Sequence, residues 1–196
     1  MKKLLFCVLA LLASVTASAQ DMMWGLTGGL NVSTFNGSDF SSKAGFNIGL
    51  KAEYNIADPF FVEGSVLLSQ KGAKYEILNE KMKMDLWYLH VPMNFGYKFD
   101  INDLIAVAPK VGIFLGCGLW GSDDNDNNPF TDYSKGEFEY LGMKDFNRFD
   151  FGFGFGVNGY VAKHLELSTG YEISMVKAYN NDTKPRNWYL SLAFMF

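Results

Sequence analysis

The sequence predicts an all-β chain: an eight-stranded, antiparallel, up-and-down transmembrane β-barrel, preceded by a cleaved signal peptide. Three observations predict it. Apolar and polar residues alternate with period two in eight separate stretches beyond Met23. Tight connections alternate with longer ones between those stretches. Within the stretches, charged residues fall on one face only.

The chain begins as an address label. Lys2 and Lys3 precede an apolar run over residues 4–13, and Ala17, Ser18 and Ala19 form a small-residue cleavage site. Ten apolar residues are too few to cross a bilayer as a helix. The expected division is a signal peptide over 1–19 and a barrel domain over 20–196. Loss of Lys2 and Lys3 leaves 15 basic against 21 acidic residues, a mature charge of about −6. Cys7 leaves with the leader, so Cys117 stands alone and no internal disulfide forms. No later segment has 18 apolar residues in a row, as a helical span would need. The acidic balance argues against a nucleic-acid partner.

The first stretch, WGLTGGLNVS, sets Trp24, Leu26, Leu30 and Val32 against Gly25, Thr27, Gly29 and Asn31. The second sets Phe46, Ile48, Leu50 and Tyr54 against Asn47, Lys51 and Glu53. The third sets Phe60, Val62, Val66 and Leu68 against Glu63, Ser65 and Ser69. In the fourth, Trp87, Leu89, Val91, Met93, Phe95, Tyr97 and Phe99 oppose Tyr88, His90, Asn94 and Lys98. In the fifth, Val107, Val111, Ile113, Leu115 and Leu119 oppose Lys110 and three glycines. The sixth, FDFGFGFGVNGYV, is the purest alternation, with Phe149, Phe151, Phe153, Phe155 and Val157 opposite Asp150, Gly152, Gly154, Gly156 and Asn158. The seventh sets Leu165, Leu167, Tyr171, Ile173 and Met175 against Glu166, Ser168, Glu172 and Ser174. The eighth carries Trp188, Leu190, Leu192, Phe194 and Phe196, and is the expected closing strand, since hydrocarbon tolerates no open sheet edge.

Medium or long connections follow the odd strands: residues 34–43, 71–85, 121–148 and 177–186. Short ones follow the even strands: 55–59, 100–103 and 162–164. Short turns at one end and longer loops at the other mark an outer-membrane barrel. The stretch FEYLGMKDF is expected to lengthen the hairpin arms.

Eight such strands close either as a lipocalin-like barrel with apolar residues inside, or as a membrane barrel with them outside. The apolar face carries no charge, and Arg or Lys facing lipid at the midplane costs roughly 2–4 kcal/mol. Glycine crowds the polar face, leaving room inside for long charged side chains, where an inverted set of Phe and Leu would overfill the interior. Trp24, Tyr54, Phe60, Trp87, Phe99, Phe149, Trp188 and Phe196 lie near strand ends, as interfacial girdles do. Lys51, Lys98 and Lys110, with Glu53, Glu63, Asp150, Glu166 and Glu172, are therefore expected to form an ion-pair network filling the lumen, together with His90. Pro92 and Pro109 fall within strands, where bulges are expected.

Local stretches resemble the PorT-like outer-membrane β-barrel proteins, with an architecture similar to the OmpA transmembrane domain and OmpX. They are the leader end SAQ, SQKGAKY (residues 69–75), YLHVPM (88–93), RFDFGFGFGV (148–157) and the terminal AFMF. In that family the fourth-strand motif is nearer YLEIP, so His90 stands where an acid is common. The resemblance implies an outer-membrane location and membership of a secretion apparatus as one possible role. It also implies that Trp188, Leu190, Leu192, Phe194 and Phe196 form a C-terminal signal for the barrel-assembly machinery, a transient partner.

Neither of the two histidines, His90 and His164, has a clustered ligand set around it, and no Ser–His–acid set is evident. Ser122 to Asn128 reads as a solvated loop, lacking the glycine and terminal Glu of a calcium loop. No cofactor or metal is expected. The expected role is non-enzymatic, with loops 71–85 and 121–148 binding an outside partner or keeping the envelope intact, among outer-membrane lipids. A narrow small-solute pore and a secretion component are the alternatives.

Overall fold

The computed structural model describes residues 22–35, 40–77, 80–123, 149–162, 164–176 and 184–196. The expected leader, residues 124–128 of the Asp/Asn-rich stretch and the FEYLGMKDF segment lie outside the described residues.

Alternation at period two makes each stretch a strand with one apolar face. The strands are β1 (Met22–Phe35), β2 (Phe40–Ala57), β3 (Phe60–Ile77), β4 (Glu80–Tyr97), β5 (Phe99–Asn102), β6 (Ile105–Asp123), β7 (Phe149–Val161), β8 (Leu165–Ser174) and β9 (Pro185–Met195). The short β5 continues β4 past Lys98, so nine strands make eight staves. All neighbours pair antiparallel, β4 also pairs with β6, and β9 closes on β1. The seam is zipped at the turn end: Phe196 N–H donates to Trp24 O at 2.7 Å, and Trp24 N–H to Phe196 O at 3.1 Å. The barrel is closed and has no free sheet edge along that seam.

The register fixes which face points where. Leu26, Leu30, Ile48, Leu50, Phe153, Phe155, Leu192 and Phe194 point outward and are exposed, while Lys51, Glu53, Glu63, Glu166 and Glu172 point inward and are buried. Leu50 and Lys51 are adjacent yet 56% and 4% exposed.

Three expectations are corrected here. Residues 71–85 are not a long loop. β3 and β4 stay paired from Lys71↔Leu86 and Gly72↔Asp85 to Ile77↔Glu80, so this connection is a tall hairpin. Residues 34–43 and 177–186 are likewise shortened by the ends of β1, β2 and β9. Neither proline makes a bulge. Pro109 pairs with Val157 and Pro92 with Phe114 in unbroken register, and the β3–β4 ladder skips beside Pro92 and resumes unshifted. A proline lacks one donor but holds an extended φ, so a ladder bond is lost without a residue being inserted. Finally, the interior holds phenylalanine rings as well as the glycines, charges and Tyr88 expected there. Phe61, Phe114, Tyr88 and Tyr160 are buried there.

Glycine makes that possible. Phe61 pairs across the strands with Gly96, Phe114 with Gly152, and Tyr189 with Gly170. Each ring lies where the glycine's β-carbon would be. Gly96→Val therefore displaces the Phe61 ring from its packing with Ala106, Ala108 and Tyr160. The expected loss is about 1–3 kcal/mol, read by denaturant titration in lipid vesicles. Phe61→Ala combined with Gly96→Val should recover part of it.

Candidate functional site: the charged lumen

Inward positions of all eight staves share one narrow lumen, so a charge placed there must meet its partner inside it, on a neighbouring stave or across. The described residues arrange this in two layers.

The layer nearer the turn end is built on Glu63 of β3. Its Oε1 accepts from Lys110 Nζ at 2.6 Å and Asn94 Nδ2 at 2.9 Å. Its Oε2 accepts from Lys51 Nζ at 2.6 Å and Asn158 Nδ2 at 2.7 Å. Lys51 also donates to Glu166, and Lys110 to Ser168 at 2.8 Å. Toward the turns, Glu53 accepts from Lys98 at 2.7 Å and from the Tyr160 hydroxyl at 2.6 Å. The Lys98 ammonium lies 4.3 Å from the centre of the Tyr160 ring, a cation–π contact. Lys98 is the most open of these groups, and its end of the lumen widens into a vestibule of ≈ 260 Å³.

The layer nearer the loop end joins Lys71, His90 and Glu172. His90 Nε2 is 2.8 Å from Glu172 Oε1, and His90 Nδ1 is 3.2 Å from Lys71 Nζ. Asn187 donates to Glu172 Oε2 at 3.0 Å. Asp150 lies in the same region and accepts from Ser174 at 2.5 Å. Between the layers is a polar chamber of ≈ 40 Å³, room for a few waters.

Thus Lys51, Glu53, Glu63, Lys98, Lys110 and Glu166 come together in one layer and His90 and Glu172 in the other, with Asp150 in the upper layer bonded to Ser174. Sequence reading left out Lys71, which is buried and 3.8 Å from Glu172. Asn158, on the inward face in the sequence but outside the expected network, and Tyr160 and Asn187, which sequence reading left out, are the neutral groups that complete the carboxylates' bonding. His164 sits at the turn end, where Nδ1 is 2.9 Å from Met195 O, far from His90 in the other direction along the barrel.

Among the described residues, the carboxylates of Glu53, Glu63 and Glu166 lie within 4.8 Å of one another, close enough to share an ion. Three lysines already neutralise them, so the set is an internal ion-pair cluster.

The fold is similar to that of known outer-membrane barrels. Neisserial surface protein A is 16% identical, the match covering 88% of this chain and 97% of that one with a TM-score of 0.53. OprG of Pseudomonas aeruginosa is 12% identical, covering 90% and 96% with a TM-score of 0.52. Ail, the attachment invasion locus protein of Yersinia pestis, is 15% identical, covering 90% and 100% with a TM-score of 0.46. No curated protein sequence matches the chain. Residues 4–196 match the family described as outer membrane protein beta-barrel domain. With a closed eight-stave barrel, apolar outside and charged within, this chain belongs to that family and resides in the outer membrane.

Proposed function

We propose that this barrel is a non-enzymatic envelope protein with a sealed lumen, acting through the surface it raises outside the membrane. The carrying observation is the unequal height of the staves. A transmembrane strand needs about 9–11 residues. β8 and β9 have 10 and 11, whereas β2, β3 and β4 have 18 each and β6 has 19. The surplus of roughly 7 residues, at about 3.4 Å each along strands tilted by about 40°, raises one side of the barrel ~18 Å above the bilayer. It rises at the loop end, which faces outward in this class of barrel. Among the described residues the charge layers reach no higher on β3 than Lys71, so the sheet above it and the 121–148 connection are the parts available to a protein or surface ligand.

Co-purification from membranes tests this, using the full chain and a chain with residues 124–148 replaced by a short linker. Loop-dependent recovery of a partner supports the reading, and identical recoveries remove it. Planar-bilayer recording tests the seal. The two charge layers predict no unitary steps, while clear steps would establish the pore reading instead.

The resemblance to PorT-like proteins supports a narrower role in a secretion apparatus, which unchanged secretion after deletion would exclude. Trp188, Leu190, Leu192 and Phe194 on β9, and Phe196 just after it, are all exposed on the outer face, a presentation suited to recognition by the assembly machinery during insertion.

A further inference from the structure

We propose that His90 is an acid-operated latch for Lys71 at the outer end of the lumen. The argument starts from hydrogen-bond chemistry. A lysine ammonium only donates, so at 3.2 Å from Lys71 Nζ the His90 Nδ1 must be an acceptor. The ring is then neutral, with its hydrogen on Nε2, which donates to Glu172 Oε1 at 2.8 Å. Both ring nitrogens are committed, and the tautomer is fixed by its two neighbours.

A proton added to Nδ1 from outside water removes the acceptor. It also places an imidazolium 3.2 Å from an ammonium inside the barrel, where like charges repel strongly. His90 keeps its bond to Glu172, now an ion pair. Lys71 must leave.

The surroundings say where it goes. Lys71 of β3 faces Glu172 of β8 at 3.8 Å and lies over the rings of Tyr88 of β4 and Phe114 of β6. The cleft just outside His90 is lined by Lys71, Tyr88, Asp150 of β7, Glu172, Arg186 and Asn187 of β9, with Ser33 of β1. Lys43 of β2 is the register partner of Ser33 and is also buried. Asp150 is the second carboxylate within that cleft, and its Oδ1 is bonded to a neutral serine hydroxyl. Lys71 therefore exchanges Glu172 for Asp150 when His90 is charged, and returns when the proton leaves. The layer of Lys51, Glu63, Lys110 and Glu166 is untouched, so the exchange rearranges the outer mouth without opening the lumen.

The test is NMR of the full mature barrel in lipid nanodiscs, with labelled His and Lys, between pH 8 and pH 5. The chain has two histidines, so His164→Gln leaves one imidazole signal. At pH 8 the expected His90 spectrum is that of the neutral Nε2–H tautomer. On acidification, the Lys71 side-chain signal should shift with the same midpoint as the His90 ring. In His90→Gln the amide donates to Glu172 and accepts from Lys71 at every pH, so the Lys71 shift should be lost. Asp150→Asn should change the acid end-point of Lys71 and leave the neutral one in place. Three results overturn the latch: a His90 ring already charged at pH 8, a ring neutral throughout, or a Lys71 signal that stays still while His90 titrates. Gel mobility of heated and unheated samples shows that each variant is folded.

Discussion

Replacing Glu63 with leucine is expected to destabilise the barrel by about 3–5 kcal/mol. Four donors converge on this one carboxylate: Lys110 and Asn94 on one oxygen, Lys51 and Asn158 on the other. Both lysines are buried. Without Glu63, Lys110 keeps the Ser168 hydroxyl and the face of the Tyr189 ring, neither of them charged, and Lys51 keeps Glu166. The loss is mostly the cost of a buried ammonium left without its counter-charge, not the strength of the bonds removed. A comparison separates the two. Lys110→Met added to Glu63→Leu removes the stranded charge and should regain a substantial part of the loss. Equilibrium unfolding in lipid vesicles, followed by tryptophan fluorescence, measures all three chains. A Glu63→Leu barrel within about 1 kcal/mol of the parent would mean that the lumen holds enough water to solvate Lys110.

The second large effect is expected one residue from a lumen lysine. Leu50→Arg should cost roughly 2–4 kcal/mol, although Lys51 beside it is an ordinary part of the fold. Leu50 pairs with Leu26 and Val66 on the outer face, about midway along the part of β2 that crosses the membrane. A guanidinium there meets hydrocarbon. The same unfolding titration checks it. Moving the substitution to Tyr54, nearer the turn, should reduce the loss, because an arginine at the interface reaches water. A cost independent of depth would mean that the outer face meets something other than a bilayer.

These contrasts explain why so much of the molecule was legible in the sequence. Lipid imposes a rule without exceptions at one residue in two, and the alternation of FDFGFGFGV needs no tertiary knowledge to interpret. Lys51, Glu63, Lys110, Glu166 and Glu172 fall on the inside by that rule, with the glycine-rich polar face and the aromatic girdles agreeing. The rule stops where lipid stops. In SQKGAKYEI the outward positions no longer need to be apolar, so the pattern fades although the β3–β4 ladder continues. Lys71 is hidden for that reason: it opens the expected loop over 71–85, yet it sits buried beside His90. The pairing of rings with glycines was hidden for another. Phe61 breaks the alternation after Phe60, which is a signal, but its place over Gly96 depends on the register of two strands. A single strand's sequence does not contain that register.

The rings seated on glycines have a consequence for how such an interior changes over evolutionary time. Phe61 with Gly96, Phe114 with Gly152 and Tyr189 with Gly170 each divide one space between two positions. At Gly96 the Phe61 ring is the first obstacle to a side chain, so neither partner grows unless the other shrinks, whereas at Gly152 and Gly170 the backbone carbonyls of Ile173 and Phe155 also fill the place of a β-carbon and hold those positions as glycine. Drift at Phe61 and Gly96 should then proceed by compensated double steps, and related sequences should show co-variation between these two distant positions and constancy at Gly152 and Gly170, while the greasy exterior exchanges one hydrocarbon for another freely.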